Sequence, residues 1–99
     1  MQVNDSQILV LCVLADGPLH GYAINTAIEE LTGNRLGPGS LYGALARLEA
    51  KGFVEYLEGE GRQRPVRLTG TGREALREEL RTMAHVADVG LRNLGAAPA

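Results

Sequence analysis

"PGSLYGALARLEAKGF", Pro38 to Phe53, reads as a helix with one apolar side. At about 3.6 residues per turn, Leu41, Leu45 and Leu48 stack together with Ala44 beside them. The opposite side carries Gly39, Gly43, Ala46 and Ala50, with Tyr42 on one edge and Ser40 and Arg47 on the other. A helix bared in this way lies close to a flat or concave partner. The major groove of B-DNA, about 12 Å wide, admits such a helix. Ser40 and Tyr42 offer hydroxyls to phosphates, and Arg47 reaches a phosphate or a guanine edge. Alanine is also the best helix former, so Ala46 and Ala50 do not by themselves separate filler from contact surface. Gly43 is harder to call filler, because glycine inside a helix costs roughly 1 kcal/mol relative to alanine.

Upstream, Asn4 to Gln7 supplies N-cap candidates for the apolar run Ile8 to Ala15, predicting a first helix over 5–15 that Asp16-Gly17-Pro18 stops. Ile24, Ala27, Ile28 and Leu31 recur at helical spacing and predict a second helix over 19–31, closed by Thr32-Gly33. Residues 35–39 read as a connector, with Ser40 as N-cap of the third helix and Gly52 just past its end. Strands are expected over 53–57 and 66–68, with a hairpin tip at 58–61 and Pro65 at a strand start. Thr71 and Glu74 match a capping box opening a long helix, along which Leu76, Leu80, Met83, Ala87, Leu91 and Leu94 form a heptad-like stripe. Gly90 weakens that stripe near its end.

The expected fold is mainly α with a small two-stranded β wing: a winged helix-turn-helix followed by a long C-terminal helix. The expected division is a DNA-binding unit over 1–69, a dimerisation helix over 70–94 and a frayed tail over 95–99. The stretch 62–73, from the wing into the long helix, carries Arg62, Arg64, Arg67 and Arg73 and no acid, a local +4 in a chain whose net charge is −2. Arg62 and Arg64, with Gln63 between them, give polar reach beside the third helix. A solvated charged strand is the competing reading. Glu58 and Glu60 lean towards it, since they repel phosphates wherever they point inward.

A length of 99 residues fits one domain, and 44% hydrophobic with 22% charged residues is ordinary for a folded one. Cys12 has no second cysteine to pair with and suits a reducing cytoplasm. The apolar run of eight residues is far shorter than the roughly 18 of a membrane span. His20 and His85 stand far apart without metal-ligand spacing, and no nucleophile has a base near it. These features predict no enzyme, no metal and no cofactor. His20, at a helix start, reads as a cap or hydrogen-bond partner.

Three stretches, "HGYAI" (20–24), "GPGSLYGALARLEAKGFV" (37–54) and "RLTGTGREAL" (67–76), resemble the PadR family of bacterial transcription regulators. The resemblance spans about 6–94. It implies a homodimeric winged helix-turn-helix that represses transcription from pseudo-palindromic operators in double-stranded DNA. It places the family's S-L-Y motif on Ser40, Leu41 and Tyr42, with the tyrosine as a DNA contact. Its H-G-Y motif adds His20 and Tyr22 to the expected DNA-binding residues, beside Ser40, Tyr42, Gly43, Arg47, Arg62, Gln63, Arg64 and the outlying cation Lys51. Two departures stand out. Gly43 replaces a common proline, and Pro65-Val66 occupies a wing position where tyrosine is common.

The long-helix stripe and the all-round apolar first helix also leave more apolar surface than one small chain easily covers, which implies a second copy; the competing reading is that both stripes satisfy one intramolecular core. Ile8, Leu11 and Cys12 with Leu76, Leu80, Met83, Ala87 and Leu91 are the expected dimer contacts. Two other functions compete: a winged-helix module that binds protein, and a small-molecule sensor with weak DNA affinity. Some members of the resembled family bind aromatic effectors at the dimer interface. With no Trp and one Phe, this chain supplies few aromatics for such a site. Met83 and Cys12 suit packing better than a pocket.

Overall fold

The computed structural model describes residues 5–59 and 64–95. The chain runs α1 (Ser6–Leu14), α2 (Gly21–Thr32), α3 (Pro38–Ala50), β1 (Val54–Tyr56), β2 (Val66–Leu68) and α4 (Gly70–Gly95). This is the helical fold with a two-stranded wing that the residue patterns predict. Part of the expected hairpin tip (60–61) and the last residues of the expected tail (96–99) lie outside the described residues.

Asp5 caps α1, its carboxylate accepting from the N–H groups of Gln7 and Ile8 at 2.8 and 3.4 Å. The helix is apolar on nearly every side because it is central: α2, α3, α4 and β2 all pack against it. Leu9, Val10, Leu11 and Leu14 are buried there. Ile24 and Ile28 of α2 meet them, together with Leu41, Ala44, Leu45 and Leu48 of α3. Leu31, expected on the inner side of α2, is 59% exposed, because the last turn of α2 has run past this cluster.

Helix α3 starts two residues ahead of the expected Ser40 cap. Gly37 is the N-cap and Pro38 opens the first turn, where a missing N–H costs nothing. After α3, Gly52 adopts a φ of +78°, a left-handed turn that sends the chain into β1. The strands pair antiparallel, Val54 with Leu68, Glu55 with Arg67 and Tyr56 with Val66. Leu19, in the α1–α2 connection, adds an isolated antiparallel bridge to β2 by exchanging both backbone hydrogen bonds with Val66, at 3.1 and 2.8 Å.

The cap of α4 is Thr69, not Thr71. Its hydroxyl accepts from the Gly72 N–H at 3.0 Å and donates to the Gly52 carbonyl at 2.7 Å, tying the helix start to the α3–β1 turn. A Cβ on Gly72 would lie 2.0 Å from the Phe53 carbonyl oxygen, so the backbones meet there directly. Beyond Leu76 no residue of α4 is buried, and the helix projects to give the molecule a 58 Å long axis. No helix among the described residues is long and apolar enough to cross a membrane.

Candidate nucleic-acid interface

The bare side of α3 faces outward. Gly39, Ser40, Tyr42, Ala46, Arg47 and Ala50 are exposed, and Gly43 is half-buried. What covers Gly43 is Arg47, whose Nη1 lies 3.3 Å from the position of a Cβ there. The guanidinium folds back one turn over the strip and makes no ion pair among the described residues. Tyr42 leans the other way. Its hydroxyl comes within 3.2 Å of the Cβ position of Gly21, at the first residue of α2. The shortest side chain therefore lets the tyrosine ring span from α3 to the start of α2, with Tyr42 still 58% exposed.

Asn25 fixes the turn between these helices. Its side-chain amide donates to the Leu36 carbonyl and accepts from the Leu36 N–H, both at 2.8 Å. Two hydrogen bonds from one side chain thus hold the backbone immediately ahead of α3. Beside it, Arg35 pairs with Glu29 at 2.9 Å and lies over the Tyr22 ring. The sequence reading missed Asn25 and Arg35. The "N" of GYAIN one turn after the tyrosine was the available signal for Asn25.

On the wing, Arg64 turns towards its own hairpin. Its Nε donates to the Leu57 carbonyl at 3.0 Å, and its guanidinium lies 5.5 Å from the centre of the Tyr56 ring. Tyr56 is near enough to α3 for its ionisation to feel Glu49 and Tyr42. Burial first, and then those two groups, raise its pKa, while Arg64 lowers it. Arg67 is paired with Glu55 at 3.0 Å across the ladder, which neutralises it. Arg62 and Gln63, expected at the interface, lie outside the described residues.

One expected contact, Lys51, sits elsewhere. Lys51 reaches Gln7 at 2.9 Å and lies over Phe53, so it turns to the start of α1 instead of the α3 strip. Its place past the end of α3 leaves the α1 terminus as its nearest polar neighbour. His20 is the exposed N-cap residue of α2, and its side chain makes no cap hydrogen bond. Tyr22, next along, is 78% exposed.

The expected dimer residues divide. Leu11 and Leu76 are 3% and 5% exposed and belong to the core of the single chain, since α4 packs its first turns on α1. Ile8, Cys12 and Met83 are half-buried, and Leu80, Ala87 and Leu91 are exposed. Burial raises the Cys12 thiol pKa. An open cavity of about 370 Å³ lies where α1 ends against α4, lined by Ala15, Leu76, Leu80 and Ala84 with Arg73, Arg77 and Arg81. Neither Cys12 nor Met83 lines it.

Several known proteins are similar to this chain in sequence or in fold. An uncharacterized 37.1 kDa protein of transposon TN4556 from Streptomyces fradiae is 67% identical over 87 residues, 88% of this chain. The chain spans 25% of that relative's length. A transcriptional regulator from Clostridium thermocellum superposes with a TM-score of 0.76 at 26% identity, covering 87% of this chain and 86% of its own. PadR from Bacillus subtilis, solved in complex with operator DNA, superposes with a TM-score of 0.64 at 25% identity, covering 75% of this chain and 46% of its own. The family described as transcriptional regulator PadR-like matches residues 10–78, which takes in the buried helices, the strip and the wing, and the chain belongs to that family.

Proposed function

We propose that this chain is a sequence-specific, DNA-binding repressor that acts as a homodimer on a pseudo-palindromic operator. The carrying observation is the outward strip of α3, with Tyr42 and Arg47 at its edges. A strip of glycine and alanine lets the helix axis sit deep in a major groove. Tyr42 and Ser40 then meet phosphates on the flanking strands, and Arg47 swings off Gly43 to reach a base edge or a phosphate. The family membership supports regulation. The operator complex of the Bacillus subtilis protein supports duplex DNA as the partner.

Residues 1–69 form the DNA-binding unit, and 70–94 form the dimerisation helix. Leu80, Leu91 and Leu94 are 39–77% exposed on one side of α4, an apolar stripe left uncovered among the described residues. A partner helix laid against it removes that surface from water. A two-fold dimer presents two α3 helices to successive major grooves, about 34 Å apart.

The test is binding to the duplex upstream of the chain's own gene, followed by fluorescence anisotropy across a salt series. Affinity should fall steeply with salt, and Arg47→Ala should weaken binding. Failure to bind any duplex at low ionic strength would favour a protein-interaction module. Loss of binding on adding a small aromatic compound would favour a sensor.

A further inference from the structure

We infer that Arg35 is a phosphate-binding residue held in reserve by an internal counter-ion, Glu29, so that this pair sets how tightly the protein grips DNA of any sequence. The inference rests on the DNA-binding reading above and extends its footprint past α3 to the α2–α3 turn.

Arg35 sits two residues before the N-cap of α3. The Asn25–Leu36 hydrogen bonds fix the backbone beside it, so its Cα does not wander. Its guanidinium is oriented twice, at 5.5 Å from the centre of the Tyr22 ring and through Nη1 at 2.9 Å from the Glu29 carboxylate. Tyr22 follows Gly21, which carries the Tyr42 ring. Arg35 therefore lies over the residue next to the one on which the Tyr42 ring of α3 rests, which sets it beside the edge of the α3 strip.

The pair is a poor stability device. Both side chains are exposed, 37% for Arg35 and 47% for Glu29, and exposed pairs contribute between nothing and about 1 kcal/mol. Guanidinium has five N–H donors in a planar fork. Among the described residues Arg35 uses one of them, on Glu29. A planar cation held over an exposed tyrosine ring, with donors to spare, is arranged to receive a phosphate oxygen pair. Glu29 competes for the same fork. Binding DNA exchanges one anion for another, which lowers affinity for every duplex equally and leaves sequence choice to α3.

The experiment measures anisotropy with two probes: the duplex upstream of the chain's own gene, and a scrambled duplex of equal length. Arg35→Ala should weaken both by the same factor, about fivefold or more, and reduce the salt slope by about one per protomer bound. Glu29→Gln should tighten both severalfold, and should do little in the Arg35→Ala background. Arg35→Ala with unchanged affinity and salt slope, while Arg47→Ala weakens binding, overturns the inference and leaves the regulator reading standing. Equal tightening by Glu29→Gln in both backgrounds overturns the reserve mechanism, because Glu29 then acts through the general field alone. A wild-type protein that binds neither duplex overturns the DNA-binding reading, and the inference with it. Thermal melts of each variant should stay within a few degrees of wild type, as fits an exposed pair.

Discussion

The Tyr42 hydroxyl lies 3.2 Å from the place where Gly21 would carry a Cβ, so the ring that edges the α3 strip rests on the opening residue of α2. Tyr42→Phe keeps that ring seat and removes the hydroxyl. Stability should be unchanged and duplex affinity should fall by roughly 1 kcal/mol, about fivefold, in an anisotropy titration. Gly21→Ala pushes the mobile end of the ring aside by a few tenths of an ångström. It should leave the melting temperature nearly unchanged and weaken DNA binding less than Tyr42→Ala does.

Gly43→Ala separates filler from contact surface. Its new Cβ meets the Arg47 Nη1 at 3.3 Å, the far end of a flexible side chain that moves away at little cost. The helix should gain up to about 1 kcal/mol in urea unfolding. If the strip enters a groove, affinity for the upstream duplex should fall in the same protein. A stabilised variant with wild-type affinity would mark Gly43 as unused.

Much of the interface was legible from residue order. The buried row of Leu41, Ala44, Leu45 and Leu48 follows from helical period, and Gly52 from its place after that row. Pro38 was legible too, because proline favours the first turn of a helix, yet it read as connector beside two glycines. Thr69 and Thr71 compete as caps on local pattern alone. The choice falls to Thr69 because its hydroxyl can also reach Gly52, a partner 17 residues away. Separation along the chain likewise hides the Leu19–Val66 pairing, and it hides which leucines α1 and α4 spend on each other.

Gly72 tests the join between α4 and the winged unit. Alanine there would place a methyl 2.0 Å from the Phe53 carbonyl, and neither backbone has room to yield. Gly72→Ala should cost about 3 kcal/mol or more, read as a lower denaturant midpoint with loss of α4 docking. Thr69→Ala should cost about 1 kcal/mol through the lost cap.

The exposed part of α4 tests self-association. Leu80→Glu with Leu91→Glu replaces two side chains that are 39% and 69% exposed, so the single-chain core is untouched. Sedimentation velocity should show the wild type as a dimer and the double variant as a monomer with its helical circular dichroism signal retained. A double variant that still sediments as a dimer would remove α4 from the interface.

Because Leu19 shares both its backbone hydrogen bonds with Val66, the hairpin is not a flap hung from the end of α3. Its base is stitched into the loop leaving α1, and α1 is also the platform on which α4 rests. If α4 is the assembly surface proposed above, whatever seats on its outer half also bears on α1, and α1 leads directly into the loop that anchors the hairpin. The five residues from Ala15 to Leu19 thus join the base of the wing to the helix that supports α4.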